Sequence, residues 1–238
     1  DSSVQALVKA DTPVVTIFGK SSKYQATTAL GVEPEVNLEL VHDTVRYLKS
    51  RVDEVIFDAE HFFDGAAEDE EYVVKVLEAA SQGGADFLVL CDTNGGSLPA
   101  EISRLTSLVS ERFEAKVGIH THNDAGLAVA NSLAAVQSGA TMVQGTVNGY
   151  GERCGNADLV TVIPNLQLKM GYGCVPESRM PRLTQLARTV DEITNYIPQP
   201  QQPYVGRRAF SHKGGVDINA VMKAPGTYEH VQPHDVGN

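Results

Sequence analysis

Lys116 to Gly126 read KVGIHTHNDAG, an apolar β-type run that ends in two histidines one residue apart and then Asn-Asp. On a strand, side chains at i and i+2 share a face, so His120 and His122 point one way and Thr121 the other. Two such imidazoles are either satisfied by hydrogen bonds or begin a divalent-metal site, since neutral imidazole is a common ligand for zinc, manganese and similar ions. Their place at a strand end, followed at once by Asn123-Asp124, favours the metal.

Working outward, four other stretches repeat the layout of an apolar run closed by a polar or glycine-bearing turn. They are TPVVTIFGKS from Thr12, VDEVIFDAEHFF from Val52, ADFLVLCDTNGG from Ala85 and ATMVQGTVNGYGERCGNA from Ala140. Runs that are apolar at nearly every position suit strands buried on both faces, as a helix-covered parallel sheet requires. Between and after them, helical patterns are expected over residues 34–51, 67–82, 99–113, 126–138 and 157–169, with Gly83-Gly84, Gly139 and Gly171 at C-caps.

Strand-helix alternation is used by the doubly wound sheet and by the eight-fold barrel. The polar residues decide between them. Lys20-Ser21, Asp58 to Glu60, Asp92-Thr93, His120 to Asn123 and Asn148 all fall at strand C-terminal ends, where barrel enzymes build their sites. No glycine fingerprint of a dinucleotide fold follows the first run. The expected class is therefore α/β, a (β/α)8 TIM barrel of which this sequence supplies about the last five βα units. About three N-terminal units are expected to lie outside it. Residues 1–175 read as the C-terminal part of the barrel catalytic domain and 176–238 as a small helical linker subdomain. The latter opens with one long helix from Ser178 to Tyr196, then IPQPQQPYVG and RRAFSHKGGVDINAV.

A formal net charge of -11 argues against a nucleic-acid binder, whose affinity rests on clustered Lys and Arg. The compact basic cluster of Arg207, Arg208 and Lys213 is a solvated patch or a landing point for an anion. Three widely spaced cysteines give no disulfide framework or zinc knuckle and fit a reducing compartment. No apolar run approaches the roughly 20 residues of a membrane span. A cytoplasmic protein is expected.

The stretch GIHTHNDAGLAVANSLAAVQSGATMVQGTVNGYGERCGN resembles the H-x-H-N-D strand and G-x-G-E-R-x-G-N loop of the metal-dependent barrel acyltransferases. These are the isopropylmalate, homocitrate and citramalate synthases, which share their barrel with the hydroxymethylglutaryl-CoA lyases. AFSHKGGVDINAV resembles the synthase linker segment, and DAEHFFDG and LCDTNGG are most similar to the citramalate branch. The resemblance implies condensation of acetyl-CoA with an α-keto acid, pyruvate before others, on a divalent ion (Mn, Zn or Mg). It also implies a homodimer and a place in branched-chain amino-acid biosynthesis.

Carried over by position, the resemblance implies His120 and His122 as metal ligands with Asn156 close by, Glu60 as catalytic carboxylate and Thr93 as the hydroxyl that holds the keto-acid carboxylate. The family's third ligand, an aspartate in a D-[ST]-T-L-R-D-G motif, has no counterpart in this sequence. Other readings stay open: Glu60 as a salt-bridged strand-end residue, Thr93 as a helix N-cap, and Glu152 with Arg153 as an ion pair bracing their loop. In the linker the family's histidine and tyrosine pair falls on Asp217 and Tyr228, with His212 kept nearby. An aspartate with an ordinary pKa of about 3.9 is a weaker base than imidazole at about 6.5. A non-catalytic chain, and synthesis of isopropylmalate or homocitrate, are the alternatives.

Overall fold

The computed structural model describes residues 2–238. All five expected strands form and pair in parallel, in chain order: β1 (Val14–Lys20), β2 (Glu54–Glu60), β3 (Phe87–Asp92), β4 (Lys116–Thr121) and β5 (Met142–Gln144). Each crossover carries helix. Helix α1 (Ser2–Lys9) precedes β1, and a short turn α2 (Lys23–Gln25) runs on through a π-turn into α3 (Pro34–Lys49). Then come α4 (Phe62–Gly83), α5 (Pro99–Arg112) and α6 (Ala128–Gln137).

Strand alternation sorts the sheet into two faces. Val55, Phe57, Leu88, Leu90, Val117 and Ile119 pack with the helices in the main core. At about 25 cal/mol per Å² of apolar surface, this burial is the chief term holding the crossovers on the sheet. The opposite face carries a smaller apolar layer of Ile56, Phe87, Val89 and Cys91, with Met142 against it. β3 is buried at every position, as a strand covered on both faces must be. Gly118 in β4 is needed here, because a Cβ would come within 2.9 Å of Val89 Cγ2.

The helix boundaries expected from sequence shift where local chemistry intervenes. Helix α4 begins at Phe62, because His61 adopts a left-handed φ of 60° that turns the chain directly from β2 into helix. Its pattern is interrupted at Asp69, which has φ -157°. The last expected run contributes only the three residues of β5, because Val147–Gly149 is a 3-10 turn with Asn148 at φ 63°.

The chain divides into two compact units, the first running through Gln144 and taking in Glu152–Ala157, the second comprising Gly145–Gly151 and Asp158–Asn238. The second holds α7 (Leu159–Pro164), α8 (Leu183–Thr194) and α9 (Gly215–Lys223) around Val160, Met180, Leu183, Ala187, Tyr204, Val205 and Val236. The stretch read as one helix from Ser178 begins as a 3-10 turn, Glu177–Arg182, containing Pro181. Proline has no N–H to give the preceding turn, so the α-helix starts after it. Asp191 of α8 is buried and accepts hydrogen bonds from Asn148 Nδ2 at 2.7 Å and from the Tyr150 hydroxyl, fixing that turn. Among the described residues no helix is long and apolar enough to cross a membrane.

Candidate active site

Above the small apolar layer, the ends of β1 to β4 surround a recess of about 190 Å³ lined by Phe18, Asp58, Glu60, Cys91, Thr93, His120 and His122. The side chains are successive i+2 positions on each strand, so the sheet's pleat delivers them to one place. The polarity changes along the strand axis, with aliphatic side chains below and carboxylates, hydroxyl and imidazoles at the C-terminal rim.

His120 and His122 stand with ring centroids 5.2 Å apart and planes inclined at 54°. Thr121 between them faces the helices, donating to Ala128 O at 2.9 Å and lying 3.0 Å from Ser132 Oγ. Burial, then the neighbouring His120 and the Arg153 charge, push His122 below the ordinary histidine range. Its Nδ1 is buried without a hydrogen-bond partner. His120 Nδ1 lies 3.0 Å from Gln144 Oε1, and Gln144 Nε2 donates to Asp58 Oδ1 at 2.9 Å. Asn156 faces His122 across an isolated antiparallel bridge. A neutral imidazole with an unbonded buried nitrogen, beside a second imidazole, suits a divalent ion as part of a ligand set. Among the described residues no group of three His, Cys, Asp or Glu is arranged to hold one.

Glu60 has the ion pair that its strand-end position allowed. Lys20 is its register partner on β1, and Lys20 Nζ lies 2.5 Å from Glu60 Oε2. Glu60 nonetheless borders the recess with both imidazoles. Thr93 is not a helix N-cap: α5 begins at Pro99 and Leu98 holds its cap position. The Thr93 hydroxyl oxygen instead accepts a hydrogen bond from the His61 backbone N–H at 2.7 Å. With a lone pair so occupied, its proton remains to be donated into the recess. His61 is held in turn by a 3.1 Å contact between Nδ1 and Asp64 Oδ2.

Two polar residues of the motifs serve the frame. Asp92 turns to the helix side, buried, and accepts from Ser97 Oγ at 2.8 Å, with its carboxyl raised above the usual range by burial. Asn123 Oδ1 accepts from Ala128 N at 3.1 Å at the start of α6. The ion pair read between Glu152 and Arg153 is replaced by another: Arg153 reaches back to Asp124 with Nε–Oδ1 at 2.8 Å and Nη2–Oδ2 at 2.9 Å. Arg153 Nη2 also donates to Thr93 O at 2.8 Å. Arg153 sits at φ 55°, in the left-handed region. Asp58, which lines the recess, and Gln144 and His61, which bond to its His120 and Thr93, were not singled out as site residues in the sequence; Asp58 stands at i+2 to Glu60, whereas Gln144 and His61 carried no such signal.

In the second unit Asp217 and Tyr228 come together. The Asp217 charge and a hydrogen bond from the phenol to its carboxylate hold Tyr228 above the ordinary tyrosine range. His212 packs edge-on to Tyr228 with ring centroids 6.0 Å apart.

The model of the HMGL-like family matches residues 1–190, and that of the homocitrate synthase post-HMGL domain matches residues 204–238. An (R)-citramalate synthase of Aquifex aeolicus is 58% identical over the full chain, which covers 45% of that protein. One of Synechocystis is 50% identical, again over the full chain and 45% of the relative. The chain thus spans about half the length of these curated relatives. Among solved structures, an HMG-CoA lyase from Acinetobacter baumannii in complex with coenzyme A and 3-methylmalate superposes with a TM-score of 0.73 at 20% identity, covering 90% of this chain and 72% of that one. That likeness bears on the fold alone, and the five parallel strands are consistent with the part of a barrel expected from the strand ends.

Proposed function

As the chain belongs to the HMGL-like family, we propose that it carries the recess of a citramalate synthase, an acyltransferase that condenses acetyl-CoA with pyruvate. The observation that supports this reading most is the convergence of two imidazoles, two carboxylates and a hydroxyl on one small recess at a sheet's C-terminal rim.

His120 and His122, with Asn156, would hold a divalent ion (Mn, Zn or Mg), and such an ion supplies Lewis acidity to a keto-acid carbonyl. Thr93 donates to the keto-acid carboxylate, its oxygen steadied by His61 N–H. The ion pair with Lys20 orients the Glu60 carboxylate, and Glu60 positions the water that cleaves the thioester. The methyl carbon of acetyl-CoA loses a proton to a base and bonds to the keto carbon; the keto oxygen takes a proton. Water then adds its oxygen to the acyl carbon and coenzyme A leaves as the thiol. Asp217 with Tyr228 is the pair we assign to the acetyl-CoA proton, in a homodimeric, cytoplasmic enzyme.

The test is release of coenzyme A thiol by the protein that carries this chain, with acetyl-CoA and a series of keto acids. Pyruvate-dependent release with citramalate as product is expected. Preference for 2-oxoisovalerate or 2-oxoglutarate would reassign it to the isopropylmalate or homocitrate reaction, and no keto-acid-dependent release would overturn the enzymatic reading.

A further inference from the structure

Three side chains from three strands form one directed chain of hydrogen bonds across the recess. Asp58 on β2, Gln144 on β5 and His120 on β4 are joined by Gln144 Nε2–Asp58 Oδ1 at 2.9 Å and His120 Nδ1–Gln144 Oε1 at 3.0 Å. Asp58 and Gln144 are 86 residues apart in sequence, and Gln144 lies opposite His120 in the strand register.

The chemistry of the three groups gives the chain a direction. The Gln144 side chain turns its NH₂, which only donates, toward Asp58 Oδ1, which accepts. Its carbonyl oxygen is then left facing His120. A carbonyl oxygen also only accepts, so the imidazole nitrogen opposite it must carry the proton. In the neutral ring the other nitrogen, Nε2, is left with the lone pair. Nothing in the sequence spacing of His120 and His122 would choose between the two tautomers.

We propose that Gln144, oriented by Asp58, is a positioning residue that locks His120 in the Nδ1–H tautomer and leaves Nε2 as its electron-pair donor. Metal-binding histidines are commonly held in this way, the distal ring nitrogen donating to a carbonyl or carboxylate, and loss of such a partner typically costs about 10- to 100-fold in metal affinity. Here the donor's partner is an amide, itself aligned by a carboxylate one step further out. The inference deepens the reading of His120 as an ion-holding residue, and the tautomer is measured without any ion, so the two can fail separately.

The experiment is nitrogen-proton correlation spectroscopy of the histidine rings in the full chain at pH 8, with no metal added. His120 is expected as the Nδ1–H form. Gln144→Leu should move it toward the Nε2–H form that free histidine prefers, while Gln144→Glu, which keeps an acceptor facing the ring, should retain Nδ1–H. Should Gln144→Leu not fold, Asp58→Asn serves, because an asparagine can both donate and accept: the amide is then no longer forced, and both tautomers should appear. An Nε2–H ring in the unaltered chain, or a tautomer unmoved by Gln144→Leu or by Asp58→Asn, overturns the proposal. With the tautomer confirmed, failure of the longer protein that carries this chain to retain zinc or manganese would count against the metal reading alone.

Discussion

Asp124 grips Arg153 through two parallel hydrogen bonds of 2.8 and 2.9 Å, tying the turn after β4 to the G-E-R-C-G-N turn 29 residues on. This two-point geometry is the strong form of a carboxylate–guanidinium contact. It is also closely fitted: a Cβ on Gly95, which sits at φ 66°, would lie 2.5 Å from Asp124 Oδ2. Arg153→Lys should therefore not substitute, since an ammonium cannot reproduce the fork. The check is thermal unfolding, with Arg153→Lys and Arg153→Ala expected to be shifted alike.

The same pair has a definite pH signature. The hydrogen bond from Arg153 holds the Asp124 carboxyl below its usual range. A carboxyl whose folded pKa is depressed contributes stability above its unfolded value, about 3.9, and loses it as pH falls through the lower folded value. The difference in stability between the parent and Asp124→Ala should be constant from pH 8 to 5 and shrink below about pH 4. A difference that grew toward low pH would contradict the assignment.

His61 occupies the left-handed region at φ 60°, where β-branched side chains are disfavoured. Residues held there cost about 1–3 kcal/mol when the side chain is ill suited. His61→Val should lose roughly that much in urea unfolding, and His61→Asn, which tolerates the conformation, distinctly less. If Thr93 depends on the His61 amide, His61→Val should also weaken keto-acid binding, as Thr93→Val does, while His61→Asn leaves it near the parent value.

Thr121 and its histidine neighbours separate frame from chemistry. Thr121 is fully buried on the helix side, bonded to Ala128 O and close to Ser132 Oγ. Thr121→Val should cost about 1–2 kcal/mol and leave ion retention intact. In the longer protein that carries this chain, His120→Ala or His122→Ala should abolish retention, measured by elemental analysis, with little change in unfolding temperature.

Asp217 keeps the Tyr228 phenol protonated to higher pH. Removing the charge with Asp217→Asn should bring the tyrosinate absorbance transition down toward the ordinary value near pH 10. Asp217→His should raise turnover by about 10²- to 10⁴-fold if that pair moves the acetyl-CoA proton. Unchanged turnover would shift attention to His212 with Tyr228.

The sequence by itself determined the five strands, their helical crossovers and the common face of His120 and His122, because side-chain periods of 2 and 3.6 are local and follow directly from residue order. It also put Glu60 and Thr93 at strand ends. Only the tertiary structure decided which partners those residues have. Lys20 reaches Glu60 through the parallel register of β1 and β2. Arg153 prefers Asp124 to the adjacent Glu152, and Gln144 links His120 to Asp58 across the sheet. Such contacts depend on strand register and on the backbone conformation of single residues, such as the left-handed turns at His61 and Arg153, which no periodicity encodes.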